Sequence, residues 1–372
     1  MVAYNVCGEV LSELGENIPE TLFSNQMTSM FEATIGMVKG KSDKDLLGMK
    51  EMDSKLATSM RFYNLMWRAA YLSKLEMVPF IACQVVQHTM ESGLCKHSIS
   101  GFLILATLLC GNTLPKKDID IGSNIGKAAM SCFTQRYNTS EQISETYGTY
   151  YGFVAWRTEP LQNCAKKLGQ GFDVGMSIGE SDAAFTNSVH QIRSLILAGD
   201  RLPSLMEKMD YYMQKADAYN NVLGKIFFSI YRGTIAVLIN GGDSDILSET
   251  AIQKFSEAMH FHSALRAFWQ GHHSRSQHFV NKMMQVTGSE MGQLNASYII
   301  FINGLNSIEL MRMQFFAKFR TIAVRACKVI KNASVHSSWN FKNKVSNIQA
   351  LMMLKFYHIF QRLILFYAIH CI

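Results

Sequence analysis

The chain has 372 residues, enough for two average domains or one long helical array. Apolar residues make up 48% and charged residues 17%, with 23 methionines and 5 prolines, so long segments read as helix and no series of strands is evident. The net charge of +7 is dispersed, and the cations of the C-terminal third (Lys318, Arg320, Arg325, Lys328, Lys331, Lys342, Lys344) alternate with Phe315, Phe316, Ile322, Val324 and Val329 at helical spacing. That is the pattern of a solvated helix face, not the concentrated charge of a nucleic-acid binder.

From the N-terminus, residues 1–25 hold a short helix and the turn Gly15-Glu16-Asn17-Ile18-Pro19. A polar stretch from Lys39 to Ser54 follows as loop or exposed helix, so residues 1–56 form an N-terminal helix and linker. Helix pairs then begin. Ala57–Leu72 carries Met60, Tyr63, Leu65, Met66, Trp67 and Ala70 at helical spacing. Val78–Met90 ends at Ser92-Gly93, the third helix covers 97–110, and the fourth covers 118–136. Further helices are predicted at 140–156, 159–178, 181–198 and 202–226. The last of these has an apolar stripe from Leu202 to Ala216, with Asp200 as N-cap and Pro203 in the first turn. Beyond it, helices fit 225–240, 247–269, 275–287 and 291–331, the last broken near Asn303-Gly304. Short connections between long helices imply antiparallel neighbours.

Apolar runs end repeatedly in Gly followed by Asn or Asp, at Gly111-Asn112, Gly199-Asp200 and Gly242-Asp243. These lie close to one and two units of a helix pair apart, which is the mark of a helical-repeat solenoid. Residues 57–350 are read as that repeat domain. Residues 351–372 form an apolar tail long enough to span a bilayer, but Lys355, Gln361 and Arg362 near its centre favour a core helix that lacks its downstream partner.

The eight cysteines form no C-x-x-C pair and sit in apolar runs as small hydrophobes, which fits a reduced, cytoplasmic setting. Without a signal peptide, the sequons at Asn138, Asn295 and Asn332 are chance matches. Gly175-Met176-Ser177-Ile178-Gly179 matches the nucleophile elbow of serine hydrolases, but that motif needs a buried strand before it, and the preceding residues have helical spacing. Gly122-Ser123-Asn124-Ile125-Gly126-Lys127-Ala128 is one residue short of a phosphate loop, and Ala128 replaces the Mg²⁺-binding hydroxyl. His260, His262, His272, His273 and His278 cluster without an H-E-x-x-H arrangement, and His260 and His262 point to different faces. No catalytic, metal or cofactor site is expected. Trp67, Trp156, Trp269 and Trp339 are read as fillers at helix crossings.

Taken in order, several stretches resemble the helical-repeat region of very large signalling ATPases. Leu14-Gly15-Glu16 with Ile18-Pro19 is similar to the opening turn, and Leu65–Ser73 with Val78–Gly93 is similar to the first full pair. Ser98–Gly111 and Ile125–Ala129 resemble the second pair, Gly152–Arg157 and Gly171–Ala184 the third pair and the start of the fourth. Phe268-Trp269-Gln270-Gly271 and Trp339–Lys344 resemble later signatures. In that family a kinase-like domain and an AAA- or STAND-type ATPase precede a tetratricopeptide-like region, followed by sensor or output domains. The resemblance implies an all-α fold, a right-handed α-solenoid of antiparallel helix pairs. It also implies a non-catalytic interaction role in signalling, with a protein or peptide partner or an attached ATPase or kinase domain, and no nucleic acid or membrane. The chain itself has no Walker A, D-F-G or H-R-D-x-x-x-x-N motif, so it is expected to be a piece of a longer protein whose end turns apolar after Gln349. Inner-face positions on the first helices of the central pairs, Tyr150, Tyr151, His190 and Arg193, are the expected partner-binding residues. The alternatives are a hydrolase using Ser177 and a membrane-associated helical protein held by the C-terminal tail.

Overall fold

A computed structural model of the protein describes residues 2–19, 24–111, 116–241, 256–286, 294–314 and 317–353. Among them the secondary structure is entirely helical, apart from one isolated backbone bridge between Glu51 and Leu94. Helices α1 to α8 are Val2–Glu13, Ser24–Val38, Asp43–Leu47, Ser54–Ser73, Val78–Ser92, Ser98–Leu109, Lys116–Cys132 and Ser140–Thr149. Helices α9 to α12 are Leu161–Ile178, Ser181–Ala198, Leu202–Ala218 and Val222–Asn240. Helices α13 to α16 are Ser256–Trp269, His273–Val286, Leu294–Gln314 and Ala317–His336, and α17 covers 338–353. Two π-helical turns, Phe133–Tyr137 and Tyr150–Val154, extend α7 and α8.

The chain divides into two compact units. One comprises Met1–Ala155 and Gln170–Ala184, the other Trp156–Gly169 and Phe185–Ile372. The stretch 57–350, read from the sequence as one repeat domain, contributes to both. In the first unit α1 packs on α4, α2 on α5, and α6 between α5 and α7. Helix α6 is apolar around its whole circumference, with Ile99, Phe102, Leu103, Ile104, Leu105, Ala106 and Leu109 all buried, as expected of a central helix. Its neighbours approach closely because glycines face it. A Cβ at Gly122 of α7 would lie 2.8 Å from Leu109 Cβ, and one at Gly101 of α6 would lie 2.2 Å from Val85 Cγ1 of α5.

In the second unit sequential helices are spatial neighbours, α11 with α12, α12 with α13, α13 with α14, α14 with α15 and α15 with α16. Ile308, Ala323 and Ile348 form one buried cluster, joined by Phe301 and Leu305. Helix α15 runs unbroken through Asn303-Gly304, contrary to the expected break. The glycine serves packing instead: a Cβ there would sit 2.9 Å from Ala326 Cβ.

Residues of positive φ follow helix ends at Gly15, Gly40, Gly93, Gly179, Gly199, Asn220, Gly241 and Gly271, and the steps from Gly179 to Gly241 are 20 or 21 residues. At Gly199 the Asp200 N–H donates to the Leu195 carbonyl, and at Asn220 the Asn221 N–H donates to the Ala216 carbonyl. Both are Schellman closures, which satisfy the last carbonyls of a helix. The break expected at Gly199-Asp200 is thus a real turn. The segment expected as one helix over 202–226 is cut at Asn220, the sole non-glycine residue among those described with a positive φ. Gly111 follows a helix end without taking the left-handed conformation, and Gly242-Asp243 lies outside the described residues. Of the apolar tail 351–372, only residues up to 353 are described, and they continue α17.

Candidate functional site

The four residues expected to bind a partner are placed mostly inside the molecule. Tyr150 is buried and Tyr151 half-buried on the π-helical turn of the first unit, their ring centroids 5.0 Å apart. Tyr150 helps to close the space that a side chain at Gly126 would need. His190 and Arg193 lie on α10, both under 10% exposed. Burial, and secondarily the charge of Arg193, holds the His190 imidazole well below its ordinary pKa, so it is neutral. Position on the first helix of a pair therefore did not translate into an open face. His190 and Arg193 share α10 with Ala184, Phe185, Val189 and Ile192, and the apolar stripe carries its polar neighbours inward with it.

A more open polar and aromatic face occurs in the first unit, on α4 and α8. Asp53 caps α4 by accepting from the Lys55 and Leu56 N–H groups, which fixes the phase of the helix. That phase buries Met60, Tyr63 and Met66, leaves Trp67 and Arg68 half-buried and exposes Tyr71 to 37%. Glu145 of α8 accepts from Trp67 Nε1 at 3.3 Å and from Asn64 Nδ2 at 3.2 Å, while Trp67 also donates to Asn64 Oδ1 at 2.9 Å. Burial pushes the Glu145 carboxyl above the ordinary range, opposed by Arg68 and by its two donors. Arg68 reaches Glu180 at 3.8 Å, and Trp67, Tyr71 and Phe153 follow one another edge-on at 6.3 and 6.2 Å. The face thus offers flat aromatic edges, a guanidinium and partly satisfied carboxylates, which suits contact with a polypeptide better than bond-making. The sequence signal for it was the LMWRAAYLS stretch, where Trp67, Arg68 and Tyr71 stand at i, i+1 and i+4. What was missing was Glu145, brought in from 78 residues away in sequence.

A second polar cluster of the same unit is structural. Glu16 Oε2 accepts from the buried Tyr63 hydroxyl and contacts His88 Nε2, both at 2.9 Å, and so ties the Gly15 turn to α4 and α5. In the second unit, Asn340 Nδ2 donates to the carbonyls of Trp156 and Glu159, and its Oδ1 accepts from Leu161 N–H. Phe341, fully buried, meets Trp156 and Tyr298, and the Lys344 ammonium lies 4.6 Å from the Tyr298 ring. The Trp339–Lys344 stretch is therefore a packing and anchoring signature. Trp339 itself is 62% exposed and Trp269 is 66% exposed, so neither fills a helix crossing; Trp156 does, being fully buried.

The motifs set aside in the sequence are helical. Ser177 lies in the last turn of α9 and its hydroxyl donates to the Val174 carbonyl at 2.7 Å, with Gly179 closing the helix. No strand-to-helix elbow surrounds it. Gly122–Ala128 is an interior stretch of α7, so its amides are used by the helix and form no phosphate cradle. Among the histidines, His262 is buried against Tyr231 with its pKa lowered to about 3 by burial and then by Arg266, and His273 contacts Asn306. Among the described residues no group of three or more His, Cys, Asp or Glu is placed to hold a metal ion. No protein family, no curated protein and no solved structure matches this chain.

Proposed function

We propose that this chain is a non-catalytic interaction scaffold, a right-handed solenoid of tetratricopeptide-like helix pairs that binds a protein or peptide partner in signalling. The partner contacts the face formed by Asn64, Trp67, Arg68, Tyr71, Glu145 and Glu180. Occupancy of that face is passed to an attached or neighbouring ATPase or kinase domain in the cytoplasm. The observation that carries this reading is the placement of half-buried Trp67 and Arg68 and exposed Tyr71 around a half-buried carboxylate, on an all-helical frame of adjacent helix pairs. Aromatic and arginine side chains are the residues that dominate polypeptide interfaces. The 20- to 21-residue steps between the helix ends from Gly179 to Gly241 support the repeat reading for that stretch.

The test is selection from a random peptide library with the purified full chain. A selected peptide should lose at least about tenfold in affinity against Trp67→Ala and Tyr71→Ala, the cost of about 1.4 kcal/mol expected of an interface anchor. Affinity should be kept by Tyr211→Ala, an exposed tyrosine of the second unit. Peptides that bind all three variants equally, or no enrichment after repeated rounds, would overturn the proposal.

A further inference from the structure

After Glu309 the sequence contains ten lysines and arginines and no aspartate or glutamate, whereas the whole chain has a net charge of only +7. Residues 1–309 are therefore slightly acidic on balance, and the positive charge belongs to the last stretch. In the structure this stretch includes α16, whose Phe319, Ala323, Ala326 and Ile330 are buried. The opposite side of α16 exposes Lys318, Arg320, Arg325, Lys328 and Lys331.

Helical geometry sets how that side is arranged. Val324, Lys328 and Val335 run along it at i, i+4 and i+11, with the exposed Thr321 and Asn332 beside Lys328. Arg320 and Lys331 flank them on one side, Lys318 and Arg325 on the other. Val324 is 48% exposed and Val335 63%, with Trp339 a few residues beyond. Arg325, Lys328 and Lys331 form no salt bridge among the described residues. The face thus carries exposed aliphatic side chains among cations of a single sign, with no exposed anion on α16.

We infer that the exposed face of α16 docks on an anionic lipid bilayer, with the valines and Trp339 entering the headgroup region and the flanking cations meeting lipid phosphates and carboxylates. Cations with interleaved apolar side chains on one helix face are what an interfacial helix needs. Nucleic acid is the less fitting anion. Val324 and Val335, exposed on this face, offer neither hydrogen bonds nor stacking to a phosphate backbone or to bases. The sequence downstream points the same way, since residues 352–372 are apolar, with Lys355 and Arg362 as the charged residues among them. This inference is independent of the peptide-binding face, which lies in the other unit.

The experiment is co-sedimentation of the full chain with phosphatidylcholine vesicles, with and without phosphatidylserine. Binding is expected only with phosphatidylserine, and to fall as salt is raised. Each cation near such a surface strengthens binding by about fivefold. The triple variant Arg325→Glu, Lys328→Glu and Lys331→Glu should therefore bind on the order of 100-fold more weakly. A control triple, Lys39→Glu, Lys44→Glu and Lys55→Glu, reverses exposed charges of the first unit and should bind as the parent does. Both variants are checked for unchanged helical circular dichroism. The inference is overturned if phosphatidylserine gives no binding or if the α16 variant sediments with vesicles as well as the parent. It is equally overturned if the α16 residues are needed for binding to single-stranded RNA while vesicles are ignored.

Discussion

His262 shows what burial does to one side chain. Its ring centroid is 4.9 Å from that of Tyr231 and its edge meets Phe261, with only 2% of its surface exposed. Its folded pKa of about 3 lies below the ordinary 6.5, so it folds as the neutral base. A group with a depressed folded pKa contributes stability that is present above its unfolded pKa and lost as pH falls towards the folded value. The window here runs from about 6.5 down to about 3. Within it, each pH unit costs about 1.4 kcal/mol from this residue. Unfolding free energies from denaturant titrations at pH 7 and pH 5 should therefore differ by about 2 kcal/mol less in His262→Phe than in the parent. Equal acid sensitivity of the two proteins would show that His262 is not enclosed as described. The sequence displayed five histidines in one stretch; it did not show that His262 alone of them would be buried, because an isolated ring carries no sign of what will surround it.

At the scale of helices, glycines do two different jobs in this protein. Gly199 has a φ of +79° with open space around it, so it is chosen for backbone freedom at a helix end. Gly101, Gly122 and Gly304 are interior to helices and are chosen because a neighbouring helix leaves no room for a Cβ. Gly101→Ala would place its Cβ against Val85 Cγ1 and Cβ, a short branched side chain that cannot swing aside. It should destabilise by about 1–3 kcal/mol despite the better helix propensity of alanine. Urea unfolding of the variant measures this, and a stability equal to or above the parent's would refute the close packing of α5 on α6. The glycines that end helices were legible in the sequence by their place after an apolar run. Those inside helices were not: Asn303-Gly304 reads as a break until α16 is known to cross there, and Asn220 ends a helix with no glycine to announce it.

Over the whole chain, far-ultraviolet circular dichroism should give the double minimum of α-helix, and a substantial sheet component would be fatal to the fold. The helical periods were available in the sequence, since each helix must turn an apolar stripe inward and that stripe repeats every three to four residues. For that reason 181–198 and 161–178 were placed to within a residue or two of the observed ends. The sequence by itself determined that the chain is a succession of short-linked helices, and where most of them stop. Only the tertiary structure decided which polar residues meet: Glu145 joins Trp67 and Asn64 across 78 to 81 positions, and Asn340 grips the 156–161 turn across about 180. It also moved Tyr150, His190 and Arg193 indoors, half-buried Trp67, and left Tyr71 and the cations of α16 outside. The physical reason is one of range. Helix formation is settled by residues three or four apart, whereas the side of a helix that stays exposed depends on neighbours set by packing, which no local pattern records.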